Sequence, residues 1–224
     1  MMTKRTYALI ISISLILMAV VAMYVFGAIM PNFNTDLSVE ELSQNISADM
    51  ELYRTAVLGI VLVIILDFIV SYWVFELFKD QNRNMAMLSA ILRTIYTIVF
   101  SVACFELSKN LNAADYGPEG LMANVLSFEK FWNTGLGFLF GPHLIVLGLL
   151  VRESKVMPNV LGLMVLLAGI SYSMIPLLKV LPLAEATLST IEIVLAIPMT
   201  VGELGFAFWL LFKKSYEVKP QLAL

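Results

Sequence analysis

The chain alternates long apolar runs with short polar breaks. Apolar stretches fall at about 7–30, 53–78, 85–107, 132–151, 157–178 and 188–212. At a rise of about 1.5 Å per residue, each is long enough to cross a hydrocarbon slab about 30 Å thick. The pattern predicts an all-α integral membrane protein, a single six-transmembrane-helix bundle spanning residues 1–224. Two linkers carry a helical period of their own. Leu42, Ile46, Met50 and Tyr53 follow the capping-box pattern Ser38-x-x-Glu41, and Leu121, Val125, Phe128 and Trp132 follow Gly117-Pro118. These predict short amphipathic helices in the outer loops, which lie on the bilayer surface or cap a cavity, the surface reading being preferred. Nothing before Gly59 stops the first of them from running straight into the second span.

The first span follows Met-Met-Thr-Lys-Arg, a start like that of a signal peptide. Its apolar stretch from Tyr7 to Met30 is longer than the roughly 7–15 residues of a signal core, so a retained helix is expected. Composition agrees with a membrane location: 60% of residues are hydrophobic, 14% are charged and mean hydropathy is +0.88. A net charge of −3 without a basic stripe argues against a nucleic-acid partner. The single cysteine, Cys104, leaves no intrachain disulfide, and the single histidine rules out any site built on several imidazoles.

Basic residues set the expected orientation. Lys4, Arg5, Lys79, Arg83, Arg152, Lys155, Lys213, Lys214 and Lys219 fall on one side, and Arg54, Lys109, Lys130 and Lys179 on the other. That asymmetry places both termini in the cytoplasm of a multi-pass cell-membrane protein.

Four ionisable residues interrupt the spans: Asp67, Arg93, His143 and Glu203. Each lies nine to twelve residues from the basic residue that ends its span, which puts all four near the bilayer midplane. Charges facing lipid at that depth are too costly, so four at one depth imply a shared polar site. Asp67 and Arg93 sit on consecutive helices joined by a short loop and are expected to pair. Ser71 shares the face of Asp67; Ser89 and Tyr96 share the face of Arg93. The pair reads equally as polar glue between two helices or as a site whose spare guanidinium donors hold an anion.

Span four carries Gly135, Gly137, Gly141 and Pro142 just before His143, which predicts a kink and a close helix approach. Span six carries Glu192 and Glu203 three turns apart, with Pro198 between them. This spacing suggests an access path with Glu192 at its outer mouth and Glu203 at its base, unless Glu192 simply reaches outer water. Span five adds Tyr172 among small and polar residues. If Asp67 neutralises Arg93, then Glu203 and His143 are left to satisfy each other as a coupled proton-accepting pair.

Several chemistries are excluded. There is no His-Glu-x-x-His helix for zinc, no second histidine for bis-histidine haem and no deep lysine for a retinal Schiff base. Ser171 and Ser173 lack a Gly-x-Ser-x-Gly context, and no phosphate-cradling glycine loop exists. No catalytic residue, metal or cofactor is expected.

Three stretches resemble a family of bacterial six-span membrane proteins catalogued as domain-of-unknown-function family 4386. They are Leu66-Asp67-Phe-Ile-Val-Ser-Tyr-Trp73, then Leu88-Ser-Ala-Ile-Leu-Arg93-Thr-Ile-Tyr96, and a third running from Phe140-Gly-Pro-His143-Leu through Leu147-Gly148 and Pro158-Asn-Val-Leu-Gly162 to Ala168-Gly169-Ile-Ser-Tyr172. The resemblance implies a six-span layout and carries Asp67, Arg93 and His143 over as motif positions. The family more often has leucine where Pro142 stands, so the kink beside His143 is expected to be particular to this chain. No activity comes with the resemblance.

The leading expectation is binding or transport of a small solute or ion at the midplane site, with proton coupling through Glu203 and His143. A non-catalytic sensor, scaffold or immunity-type protein with a purely structural polar layer is the rival. An intramembrane lipid-modifying enzyme, whose site opens sideways to the bilayer, is the third. Partners beyond the bilayer, whether a solute, an ion, a lipid, a second copy or another membrane protein, are left open.

Overall fold

Six helices are long and apolar enough to cross a membrane, over Lys4–Asn32, Met50–Phe78, Arg83–Asp115, Pro118–Glu153, Asn159–Lys179 and Ala186–Phe212. The computed structural model describes residues 3–179, 181 and 184–213. Lys214 and Lys219, two of the basic residues that set the expected orientation, lie outside the described residues. The described elements are α1 (Lys4–Tyr24), α2 (Val39–Ala48), α3 (Met50–Phe78), α4 (Arg83–Ser108), α5 (Pro118–Gly135), α6 (Gly141–Glu153), α7 (Asn159–Lys179) and α8 (Glu185–Phe212). The spans close into a ring, α1 on α3, α3 on α4, α4 on α5 and α6, α6 on α7, α7 on α8, and α8 back on α1.

Two of the spans change pitch. A π-turn at Val25–Ile29 continues α1, and another at Leu136–Phe140 joins α5 to α6. Each widens the helix by one residue per turn and turns a side chain away from its α-helical direction. Pro142 stands in the first turn of α6, immediately after the second π-turn, where its missing N–H is tolerated. The helix that begins at Pro118 is therefore not a separate outer-loop helix. It runs on into span four, because Pro118 opens it and no breaker follows before the π-turn.

The other outer-loop helix also departs from expectation. Ser38 and Glu41 form the capping box, but α2 stops at Ala48 and does not run into α3. Asp49 breaks the path with extended φ, and its side chain accepts from Leu52 N–H to start α3 afresh. Leu42 and Ile46 are fully buried, and α2 packs on α5. Thr35 donates from Oγ1 to Glu129 at 2.7 Å, and Asn124 Nδ2 donates to Asn110 Oδ1 at 2.8 Å beneath it. This end of the bundle is a packed cap.

At the opposite end, which carries both described chain ends, Arg5 closes the ring. Its guanidinium donates to the carbonyls of Leu210, Leu211 and Lys213 at 2.6–2.8 Å. A cation placed at a helix C-terminus in this way donates to the last carbonyls and complements the helix dipole. Between α6 and α7 the contact is backbone on backbone. A Cβ at Gly148 would lie 2.6 Å from Leu166 N, and one at Gly169 would lie 2.6 Å from the carbonyl of Gly141. Glycine is required at both crossings.

Candidate functional site

Asp67, Arg93 and His143 meet at the centre of the ring, one from each of α3, α4 and α6. All three are essentially inaccessible to solvent. Nη2 of Arg93 donates to Oδ1 of Asp67, forming the expected ion pair. Nη1 of Arg93 lies 3.2 Å from Nε2 of His143. A guanidinium can only donate, so Nε2 must be the acceptor and the ring proton sits on Nδ1. Nδ1 in turn donates to the Ser89 carbonyl at 2.9 Å, with Ser89 Oγ at the same distance. This assigns His143 as a neutral imidazole from the hydrogen-bond pattern.

The guanidinium also stacks over the ring of Phe140, 5.2 Å from its centroid. A second polar tie joins the same two helices: Ser71 Oγ donates to the Ala90 carbonyl at 2.8 Å and lies 2.6 Å from Thr94 Oγ1. The α3–α4 hairpin is thus riveted twice. Leaving any of these groups unpaired away from water would cost several kcal/mol.

Glu203 stands apart from that network. The expected partnership with His143 is not formed, because Arg93 and Ser89 occupy both ring nitrogens. α8 packs on α7 and α1 rather than on α6, so Glu203 meets Tyr172 instead. The Tyr172 hydroxyl donates to Oε1 of Glu203 at 2.7 Å. Among the described residues, no basic side-chain nitrogen forms an ion pair with Glu203 within 4.0 Å. Arg93 and Glu203 do share the wall of a small void of about 10 Å³.

Beside this polar layer lies a cavity of about 580 Å³. Asp67 and Glu203 both face it, with Tyr96, Tyr172 and Thr200 as further polar positions. The remaining wall is apolar and aromatic, including Phe26, Phe100, Trp132 and Phe140. Both π-turns supply part of it, Phe26 from the first and Leu136 and Phe140 from the second. Phe26 stacks on Trp132 with centroids 4.3 Å apart. Val20 and Met23 of α1 and Phe208 of α8 line the cavity and are also exposed on the flank of the bundle, Met23 to 72%. The cavity therefore opens sideways between α1 and α8.

Only two of the four deep residues face the cavity; Arg93 and His143 stand behind it and support Asp67. Ser89 positions His143, while Tyr96 and Tyr172 line the wall. Pro142 lies next to His143 and Pro198 five residues before Glu203, inside α8. Glu192 is not part of the cavity wall; its Oε1 lies 3.2 Å from Lys179 Nζ. Of the two readings its spacing allowed, an outer mouth to the site or a carboxylate reaching outer water, the first has no counterpart in the cavity wall. Sequence reasoning gave α1 no part, because α1 holds no ionisable residue at that depth. Among the described residues, no group of three His, Cys, Asp or Glu side chains is placed to hold a metal ion.

Comparison with known proteins gives a consistent but functionally silent result. An uncharacterised protein of Archaeoglobus fulgidus is 29% identical over 158 residues, covering 70% of this chain and 83% of the relative. The relative is archaeal, so likeness to this chain extends beyond bacteria. No solved structure matches. The family model described as Domain of unknown function (DUF4386) matches residues 10–213, nearly the whole chain, and the protein belongs to that family.

Proposed function

We propose that this protein binds, and moves between membrane faces, a small amphiphilic solute that enters its cavity from the bilayer. The cavity carries the proposal. Its volume of about 580 Å³ suits a drug-sized molecule, and its wall is apolar with a few convergent polar groups, as ligand pockets are. The side opening between α1 and α8 supplies a route from lipid. Two proline-bearing helices, α7 with Pro176 and α8 with Pro198, border the site and provide hinges for opening it.

In this reading the polar layer divides its work. Asp67, Arg93, His143 and Ser89 form a buried, hydrogen-bonded support, in which Arg93 Nε has no hydrogen-bond partner among the described residues. Glu203 and Tyr172 form the part that meets the ligand and exchanges protons. Proton coupling rests on Glu203 alone, since both nitrogens of His143 are engaged. Both termini are cytoplasmic in this proposal. Of the basic residues on the favoured side, Lys4, Arg5, Lys79, Arg83, Arg152, Lys155 and Lys213 all belong to described residues at or between span ends.

The test is a thermal-shift screen of small amphiphiles on the purified protein in detergent, run beside Ala22→Phe, which fills the cavity wall. A ligand that binds only the folded state raises the melting temperature in a saturable way. The expected result is a saturable shift in wild type that Ala22→Phe abolishes. No shift with any amphiphile, or equal shifts in both proteins, contradicts the proposal. The scaffold reading draws on the same buried network but leaves the cavity of about 580 Å³ without a role.

A further inference from the structure

We infer that the ligand of this cavity is an organic cation with apolar substituents, held by Glu203 in exchange for a proton; this rests on the cavity reading above. The charges of the deep layer do not balance. The deep layer contains two carboxylates, Asp67 and Glu203, one guanidinium, Arg93, and one imidazole, His143. The hydrogen bond from Arg93 Nη1 to His143 Nε2 leaves that imidazole neutral. With both carboxylates ionised, the layer sums to one negative charge. Asp67 already holds Arg93, so the missing positive charge belongs at Glu203.

Two species can supply it, a proton on the carboxyl or a cation in the cavity. The surroundings favour an organic cation over a bare ion. Trp132, Phe100 and Phe140 line the space beside Glu203 and Asp67, and aromatic rings attract cations. A metal ion needs six or more oxygen ligands, or a compact His, Cys and carboxylate set, and the wall offers neither. An anion would meet two carboxylates, while the one guanidinium lies behind them. A neutral solute would bind only beside a protonated Glu203 and would release no proton on binding.

The elements against Glu203 bring one charge of each sign near it. α7 contributes Tyr172, α3 contributes Asp67, α4 contributes Arg93 and Tyr96, and α1 contributes none. The cation and the proton therefore compete for one carboxyl group. When the cation enters, the proton leaves Glu203 for water; when the cation departs, a proton returns. Binding is tighter at higher pH and weaker at lower pH.

Tetraphenylphosphonium and tetraphenylborate test the sign of the charge, because they share shape and differ in sign. Calorimetric titration of each into the purified protein in detergent is compared with Ala22→Phe, and only the saturable part lost in that variant counts. The expected result is that wild type binds the phosphonium at least about tenfold more tightly than the borate. Glu203→Gln loses that preference, and buffers of different ionisation enthalpy reveal a proton released on binding by wild type alone. Equal binding of the two ions, or preference for the borate, overturns the cationic assignment and leaves the cavity reading standing. Binding of neither ion, in a protein that also shows no amphiphile-dependent thermal shift, overturns both. The comparison of the two ions on wild type decides the question even if Glu203→Gln fails to fold.

Discussion

Nε2 of His143 accepts from Nη1 of Arg93 at 3.2 Å, so the only histidine of the chain serves as a hydrogen-bond acceptor for a buried arginine. That relationship makes His143 part of a support rather than a proton carrier. His143→Ala leaves a guanidinium donor unpaired in the protein interior, at a cost of about 1–3 kcal/mol. The expected outcome is a clear fall in melting temperature, with part of it recovered in His143→Gln, whose carbonyl can accept from Arg93. Thermal unfolding in detergent checks both variants.

The crossing of α6 and α7 is set by glycine. Gly148→Ala drives a methyl to 2.6 Å from a backbone nitrogen that cannot move aside alone. Overpacking of this kind costs about 1–3 kcal/mol. Gly27→Ala, by contrast, meets nothing within 4 Å. The expected result is a destabilised Gly148→Ala and an unaffected or stabilised Gly27→Ala, read by the same unfolding assay.

Arg5 locks α1 to the end of α8 through three carbonyls. Arg5→Ala should loosen the last turn of α8 and so widen the gap that continues into the side opening. Hydrogen exchange over residues 205–212 should accelerate. Arg5→Lys should rescue little, since an ammonium cannot reproduce a planar fork that spans three acceptors.

The cap end carries a pH dependence. Hydrogen bonds from the Ser38 backbone and hydroxyl to the Glu41 carboxylate hold its pKa below the usual value of 4.5. A carboxyl depressed in the folded state contributes stability above its unfolded pKa and loses it as pH falls through the folded value. Protection of amides in residues 39–48, taken relative to the intrinsic exchange rate at each pH, should therefore be high at neutral pH and fall below about pH 4.5. In Ser38→Ala that step should be smaller and shifted to higher pH.

Much of this fold was readable from residue order because it follows from length, depth and short loops. Asp67 and Arg93 had to meet, being at one depth on helices joined by a few residues. Depth alone did not give direction around the ring. His143 could turn to Arg93 or to Glu203, and only the packing of α6 on α4, and of α8 on α7 and α1, decides between them. The break at Asp49 was also hidden, since an aspartate reads as ordinary helix surface until its side chain caps a new helix. The π-turns at Val25–Ile29 and Leu136–Phe140 have no residue signature comparable to a capping box. With them went the cavity wall they build, and the part played by α1.

The account holds that Asp67 is retained for the fold and Glu203 for the ligand. Thermal unfolding of wild type, Asp67→Asn and Glu203→Gln in detergent, side by side, tests that division most directly. Asp67→Asn removes one partner of a buried ion pair, a change worth about 3–5 kcal/mol, and should melt well below wild type. Glu203→Gln keeps an acceptor for Tyr172 and removes an unmatched charge, so it should melt at the wild-type temperature or above it. Equal losses in the two variants would contradict the account, because Glu203 would then be as much a part of the support as Asp67.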